Sequence, residues 1–135
     1  MTDSTPHFTW DHVHLRSPDV PATASWLQDK LAAATVTGTS VTADRAELIL
    51  AGVKVLVTSI PTNETVHPAP ATPHQGLDHF GLAVRDLDKV ADQLKAKGVV
   101  FTRGPLTPRP SIRIAFIRGP QGISIELLER DAKYT

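Results

Sequence analysis

Three side chains in this sequence have the types and spacing to hold a divalent metal: His12, His79 and Glu126. Each histidine follows an aspartate, as Asp11-His12 and Asp78-His79, and the pairs lie 67 residues apart (79 − 12). The same offset separates Asp19 from Asp86, each standing ahead of a helix-like run, so the two stretches overlay as an internal repeat. Further on, Gly52–Ser59 overlays Gly122–Glu129 at an offset of 70 (122 − 52), and the second copy carries Glu126 where the first has Leu56. Two imidazoles and one carboxylate fixed on strands would hold one ion per site, with Mn, Fe, Co, Ni and Zn all suited to such ligands. Coordination positions would stay open for water or a chelating substrate.

The elements that must position these groups read twice as strand, helix and three strands. In the first repeat, about residues 9–60, Thr9–Arg16 is a strand and Asp19 caps a helix with Pro21 in its first turn. Ala24, Leu27 and Leu31 share that helix's apolar face. Strands are expected at Val36–Val41, Arg45–Leu50 and Val53–Ile60. In the second repeat, about 76–129, Gly76–Val84 is a strand and Asp86 caps a helix whose Leu87, Val90, Ala91 and Leu94 recur at helical spacing. Strands follow at Val99–Thr102, Ile112–Arg118 and Ile123–Glu129, the last two joined by a turn at Gly119-Pro-Gln-Gly122.

Residues 61–75 are proline-rich, with four prolines in Pro61–Pro73, and read as an extended linker in which His67 and His74 are solvated. A chain of 135 residues fits a single domain built from the two repeats. It has no cysteine, which excludes disulfides, thiolate metal sites and a cysteine nucleophile. Met1–His7 shows no leader pattern and nothing reaches membrane-spanning length, so a cytoplasmic protein is expected. Fourteen basic residues balance fourteen acidic ones without clustering, which argues against a nucleic-acid partner. A small-molecule substrate and a second copy of the chain, in a homodimer, are the expected partners.

Strand alternation assigns faces. Ile123, Ile125 and Leu127 point toward the helices, so Ser124, Glu126 and Leu128 point away from them. His12, His14 and Arg16 share a face of the first strand, and His79, Gly81 and Ala83 a face of its counterpart. If the sheets curl around a common hollow, His12, His79 and Glu126 converge in it. His14 lies about 6.6 Å along the strand from His12, placed to bind substrate or carry a proton. Glu47 is a second choice for a base, and Arg109 or the strand residue Arg113, which alternation sets on the face opposite Ile112, Ile114 and Phe116, would meet an anionic substrate if the Gly104–Pro110 segment is a stiff loop roofing the pocket.

The two βαβββ repeats, the Asp-His starts, the Arg85-Asp-Leu-Asp88 helix start and the ending Ile117-Arg-Gly-Pro-Gln-Gly-Ile-Ser-Ile-Glu-Leu127 resemble the vicinal oxygen chelate superfamily. That group includes glyoxalase I, methylmalonyl-CoA epimerase, fosfomycin-resistance proteins, extradiol dioxygenases and bleomycin-binding proteins. The resemblance spans Thr9–Glu129. It implies an α+β fold in which the paired repeats form a curved mixed sheet around a metal-binding cavity. It also implies metal ligands at positions 12, 56, 79 and 126, of which Leu56 cannot ligate and would instead line the substrate pocket. The surviving set of His12, His79 and Glu126 is closer to fosfomycin-resistance enzymes and extradiol dioxygenases than to glyoxalase I.

The leading expectation is a metal-dependent lyase or isomerase acting on a small hydroxy- or oxo-acid-like substrate through a stabilised enolate or alkoxide. Glu126 is then both ligand and part of the catalytic set, with His14 or Glu47 moving the proton. A ferrous extradiol-type dioxygenase is the alternative, disfavoured by an aromatic content of only 5%. A fosfomycin-resistance-type transferase and a non-catalytic binding protein are further alternatives.

Overall fold

The structure is a computed structural model in which residues 7–130 are described; Met1–Pro6, where no leader pattern was read, lies outside the described residues. The chain divides into two compact units, one ending at Glu64 and the other beginning at Thr65. Each is a βαβββ unit, and the fold class is α+β with two four-stranded mixed sheets. Among the described residues no helix is long and apolar enough to cross a membrane.

The first unit runs β1 (His12–Arg16), α1 (Val20–Leu31), β2 (Ala34–Thr35), β3 (Arg45–Leu50) and β4 (Val53–Thr58). Its sheet order is β1-β4-β3-β2, with β1 parallel to β4 and the other pairs antiparallel. α1 starts at Asp19 because that carboxylate accepts from the Ala22 N–H at 3.0 Å, satisfying a donor the helix cannot. Val20, Thr23, Ala24 and Leu27 are its buried residues, at the spacing of one helical face. They cover Ala46, Leu48, Val55 and Val57 on one side of the sheet, each of the larger side chains contributing roughly 1.5–3 kcal/mol by leaving water.

The second unit repeats the order with β5 (His79–Ala83), α2 (Leu87–Ala96), β6 (Phe101–Arg109), β7 (Ile112–Arg118) and β8 (Ser124–Glu129). Its sheet is ordered β5-β8-β7-β6, again with the first and last strands parallel. Leu87, Ala91 and Leu94 of α2 bury against Ala115, Ile117, Ile125 and Leu127. Two carboxylates serve the start of α2. Asp86 accepts from the Lys89 N–H at 3.4 Å, and the buried Glu129 accepts from the Leu87 N–H at 3.1 Å. Periodicity carries no trace of this second cap, because Glu129 comes from the far end of the repeat.

Two expected elements differ. The strand expected at Val36–Val41 is only Ala34–Thr35, since the chain turns at Thr37-Gly38, where Gly38 has φ 84°. Gly104–Pro110 is not a free loop: through Arg109 it forms part of β6, paired to β7 with register breaks. An edge strand tolerates prolines because one row of its N–H groups needs no partner. Gly104 itself, at φ 76°, has no room for a side chain, since a Cβ there would meet the Ile114 carbonyl oxygen at 2.6 Å.

The Glu129 cap yields a stability test. Glu129→Ala should lower unfolding free energy by about 1–3 kcal/mol, the cost of leaving a buried donor unmet. Urea denaturation should show a lower midpoint at unchanged slope, and a midpoint equal to wild type would remove Glu129 from the helix start.

Candidate functional site

In the second unit β5 and β8 run in parallel with His79 opposite Ser124 and Gly81 opposite Glu126. Glu126 in turn faces Phe116 of β7, so it stands between a glycine and an aromatic ring on the sheet face turned away from α2. The missing side chain at Gly81 leaves space that Glu126 uses: a Cβ there would lie 3.1 Å from Leu128 Cδ2 and 3.8 Å from Glu126 Oε1. His79 leans into that space, with Nε2 3.1 Å from Glu126 Oε1. Phe116 closes the other side, its ring edge-on to the imidazole at a centroid distance of 5.0 Å. Around them Ile112, Ile114 and Leu128, with Leu106 and Phe116, make an apolar floor.

Asp78 controls which nitrogen of His79 is free. His79 Nδ1 donates to Asp78 Oδ2 at 2.7 Å, because a carboxylate only accepts. Nε2 then meets Glu126 with a lone pair facing a carboxylate, an arrangement that requires a proton or a metal cation between them. Asp78 is itself held by the Thr72 hydroxyl at 2.6 Å and the His74 N–H at 3.3 Å, both donating to Oδ1. The Thr72 hydrogen bond is the main reason that the Asp78 carboxyl is lowered to about 2, followed by the His79 ring. His79 moves the opposite way: the Asp78 hydrogen bond raises it above 6.5 against the opposing effect of burial, and Glu126 adds to the rise.

The first unit presents the other half of the expected set. His12 Nδ1 donates to Asp11 Oδ2 at 2.7 Å, the same arrangement one repeat earlier. On the sheet face away from α1, His14, Leu56 and Glu47 occupy one row across β1, β4 and β3. His14 Nε2 lies 2.6 Å from Thr58 Oγ1. Burial, then the charges of Arg16, His12 and Arg45, lower His14 below 6.5. Glu47 is engaged by Lys54 at 3.6 Å and Arg45 at 3.7 Å.

Arg113 corrects the sequence reading. Strand alternation sets Arg113 on the face opposite Ile112, Ile114 and Phe116. Those residues form the floor around Glu126, so Arg113 lies on the α2 side of the sheet rather than beside the carboxylate, and it grips Asp88 through Nη2 at 2.7 Å and Nε at 3.1 Å. Asp78 and Thr72 were missed as functional groups. The aspartate had a signal, since it precedes histidine in both repeats; Thr72, inside the proline-rich stretch, had none.

Comparison with known proteins follows the same lines. A family model described as Glyoxalase/Bleomycin resistance protein/Dioxygenase superfamily matches residues 9–127. A probable chloroplastic lactoylglutathione lyase of Arabidopsis thaliana is 46% identical over 57 residues, which are 41% of this chain and 16% of that protein. The match thus spans about a sixth of that relative's length. The glyoxylase/bleomycin resistance protein/dioxygenase domain from Frankia sp. EAN1pec superposes with a TM-score of 0.71 at 22% identity, covering 94% of this chain and 95% of that one. The fosfomycin resistance protein FosX from Listeria monocytogenes gives 0.71 at 16% identity, covering 94% and 97%. At these identities the two structures establish likeness of fold.

The ring environments set a pH dependence in the metal-free protein. Because the folded His79 is raised above 6.5, the stabilisation it provides is complete below that value and is lost as pH rises through the folded value. In chelator-treated protein, NMR titration should place the His79 midpoint above 6.5 and that of His14 below it. Asp78→Asn should bring the His79 midpoint down and leave His14 unmoved; a His79 midpoint insensitive to this change would break the assigned pair.

Proposed function

Because the chain belongs to the Glyoxalase/Bleomycin resistance protein/Dioxygenase superfamily, we propose that it is a metal-dependent lyase or isomerase of a small hydroxy- or oxo-acid-like compound, with His12, His79 and Glu126 holding one divalent cation. The observation that carries this reading is the Asp78–His79–Glu126 chain. Nδ1 is fixed by a carboxylate while Nε2 and a second carboxylate are directed at one spot 3.1 Å apart. A histidine oriented through its other nitrogen by an acid is the usual support for a metal ligand, and Asp11 does the same for His12. His12 is supplied either by the same chain or by a second copy in a homodimer.

A cation held there supplies Lewis-acid stabilisation of negative charge arising on a substrate oxygen. The protein's own groups do the rest. Leu56 offers an apolar wall where a carboxylate would otherwise stand, so the proton must be handled elsewhere. His14 suits that role: lowered below 6.5, its ring is unprotonated at neutral pH, which is the state a base needs. Glu47, held by two cations, is the lesser choice. Arg113 is committed to Asp88 and receives no substrate role.

Protein purified without chelator should contain about one divalent metal per chain by elemental analysis. His79→Ala and Glu126→Ala should each remove most of it while the circular dichroism stays native, and His67→Ala and His74→Ala should remove none. Full occupancy in both ligand variants would end the assignment.

The reaction class is tested by oxygen. Against a panel of small hydroxy and oxo acids, turnover should persist in an anaerobic chamber and be supported by more than one non-redox-cycling metal. Solvent deuterium should enter substrate or product, and His14→Gln should slow turnover by ~10² or more. Oxygen uptake matched to substrate loss, seen only with iron, would turn the reading to the ring-cleaving dioxygenase.

A further inference from the structure

The second unit contains a depression of about 440 Å³ at the end of its sheet, where β7 stops and β8 begins. Its roof is Ala69–Thr72, part of the stretch read from sequence as a solvated linker, and its walls include Thr102, Arg118, Gly122 and Ser124. Two features suggest a ligand for it. Arg118 is exposed and has no acidic partner among the described residues, in contrast to Arg45 with Glu47 and Arg113 with Asp88. Arg118, Ser124 and His79 also lie in one cross-strand row, since Ser124 pairs with Arg118 on one side and His79 on the other. At the usual strand separation His79 and Arg118 are then roughly 10 Å apart along the row, within the span of a small organic molecule.

The roof is tied to the same neighbourhood. Thr72 donates to Asp78, which orients His79, so the wall of the depression and the imidazole share one hydrogen-bond chain. Gly122 adds no side chain to the depression, and its φ of 74° suits glycine. The Ser124 hydroxyl adds a neutral donor beside the guanidinium, whose fork matches two oxygens of a carboxylate or phosphate.

We infer that this depression is an oxyanion subsite, in which Arg118 and Ser124 bind the carboxylate or phosphate group of a small organic anion beneath the Ala69–Thr72 roof. That this anion is the substrate, with its other end near His79, rests on the function proposed above; the subsite itself does not require a metal.

The full-length protein is titrated with sodium phosphate and, separately, sodium acetate at constant ionic strength set by sodium chloride, and followed by amide NMR. Saturable shifts are expected at Gly122, Ile123, Ser124 and the roof residues Ala71 and Thr72. The tighter of the two anions identifies the group the subsite takes. Arg118→Met should weaken binding roughly tenfold or more, as loss of a charge-assisted pair does, and Arg118→Lys should retain part of it. Glu126→Gln should leave anion binding unchanged while weakening metal binding, which separates this inference from the metal reading. Shifts absent for both anions, retained in Arg118→Met, or lost in Glu126→Gln would each overturn it.

Discussion

Parallel pairing of the first and last strands is the constraint on which both units depend. Neighbouring parallel strands cannot be joined by a tight turn, so the chain must leave β1 or β5 through a helix and return by way of two further strands. That detour creates the buried layer between helix and sheet and brings the start of the unit against its end. In the second unit the result is a fixed register in which Glu126 lies opposite Gly81, two residues along from the His79–Ser124 pair. A shift of one residue would turn Glu126 into the helix-facing core and expose Ile125 or Leu127 in its place. The burial of Ile125 and Leu127 therefore secures the direction of the carboxylate.

The two units use this frame for different chemistry. The row Gly81–Glu126–Phe116 places an acid between an open space and an aromatic ring, whereas His14–Leu56–Glu47 places an apolar residue between two titratable ones. One half thus concentrates electron-pair donors beside an apolar floor. The other presents a polar face with Arg16, Arg45 and Lys54 close to its histidines and its carboxylate.

Much of this was legible in the residues because it depends on local periodicity. Alternation in Ile123–Leu128 gave the face of Glu126 correctly, and Asp19 and Asp86 marked the helix starts. Periodicity failed where both faces of a strand are apolar. In Ile112–Ile117 it could not tell the helix side from the floor around Glu126, so the expected substrate role of Arg113 did not foresee its place against α2 and Asp88. It also failed where a role is set by distant chain: the Glu129 cap on α2 and the Thr72 tether on Asp78 join residues that no spacing rule connects. Proline content correctly excluded regular structure from 61–75, but it said nothing about that stretch covering part of a sheet.

The adjacency of Asp78 to His79, and of Asp11 to His12, has a bearing on how robust these rings are. In most proteins the acid that orients a histidine is delivered by a separate segment, and the pair forms only after a loop has closed with its attendant entropy loss. Here the two partners are neighbours along the backbone, so ring orientation needs no long-range closure and tolerates movement elsewhere in the unit. Each dipeptide brings both partners of the pair, and Asp78 has the Thr72 hydroxyl as an added brace. Transplanted to the first position of a strand in another sheet, the dipeptide would carry its tautomer preference with it, which makes it a portable element for designing imidazole ligands on strand edges.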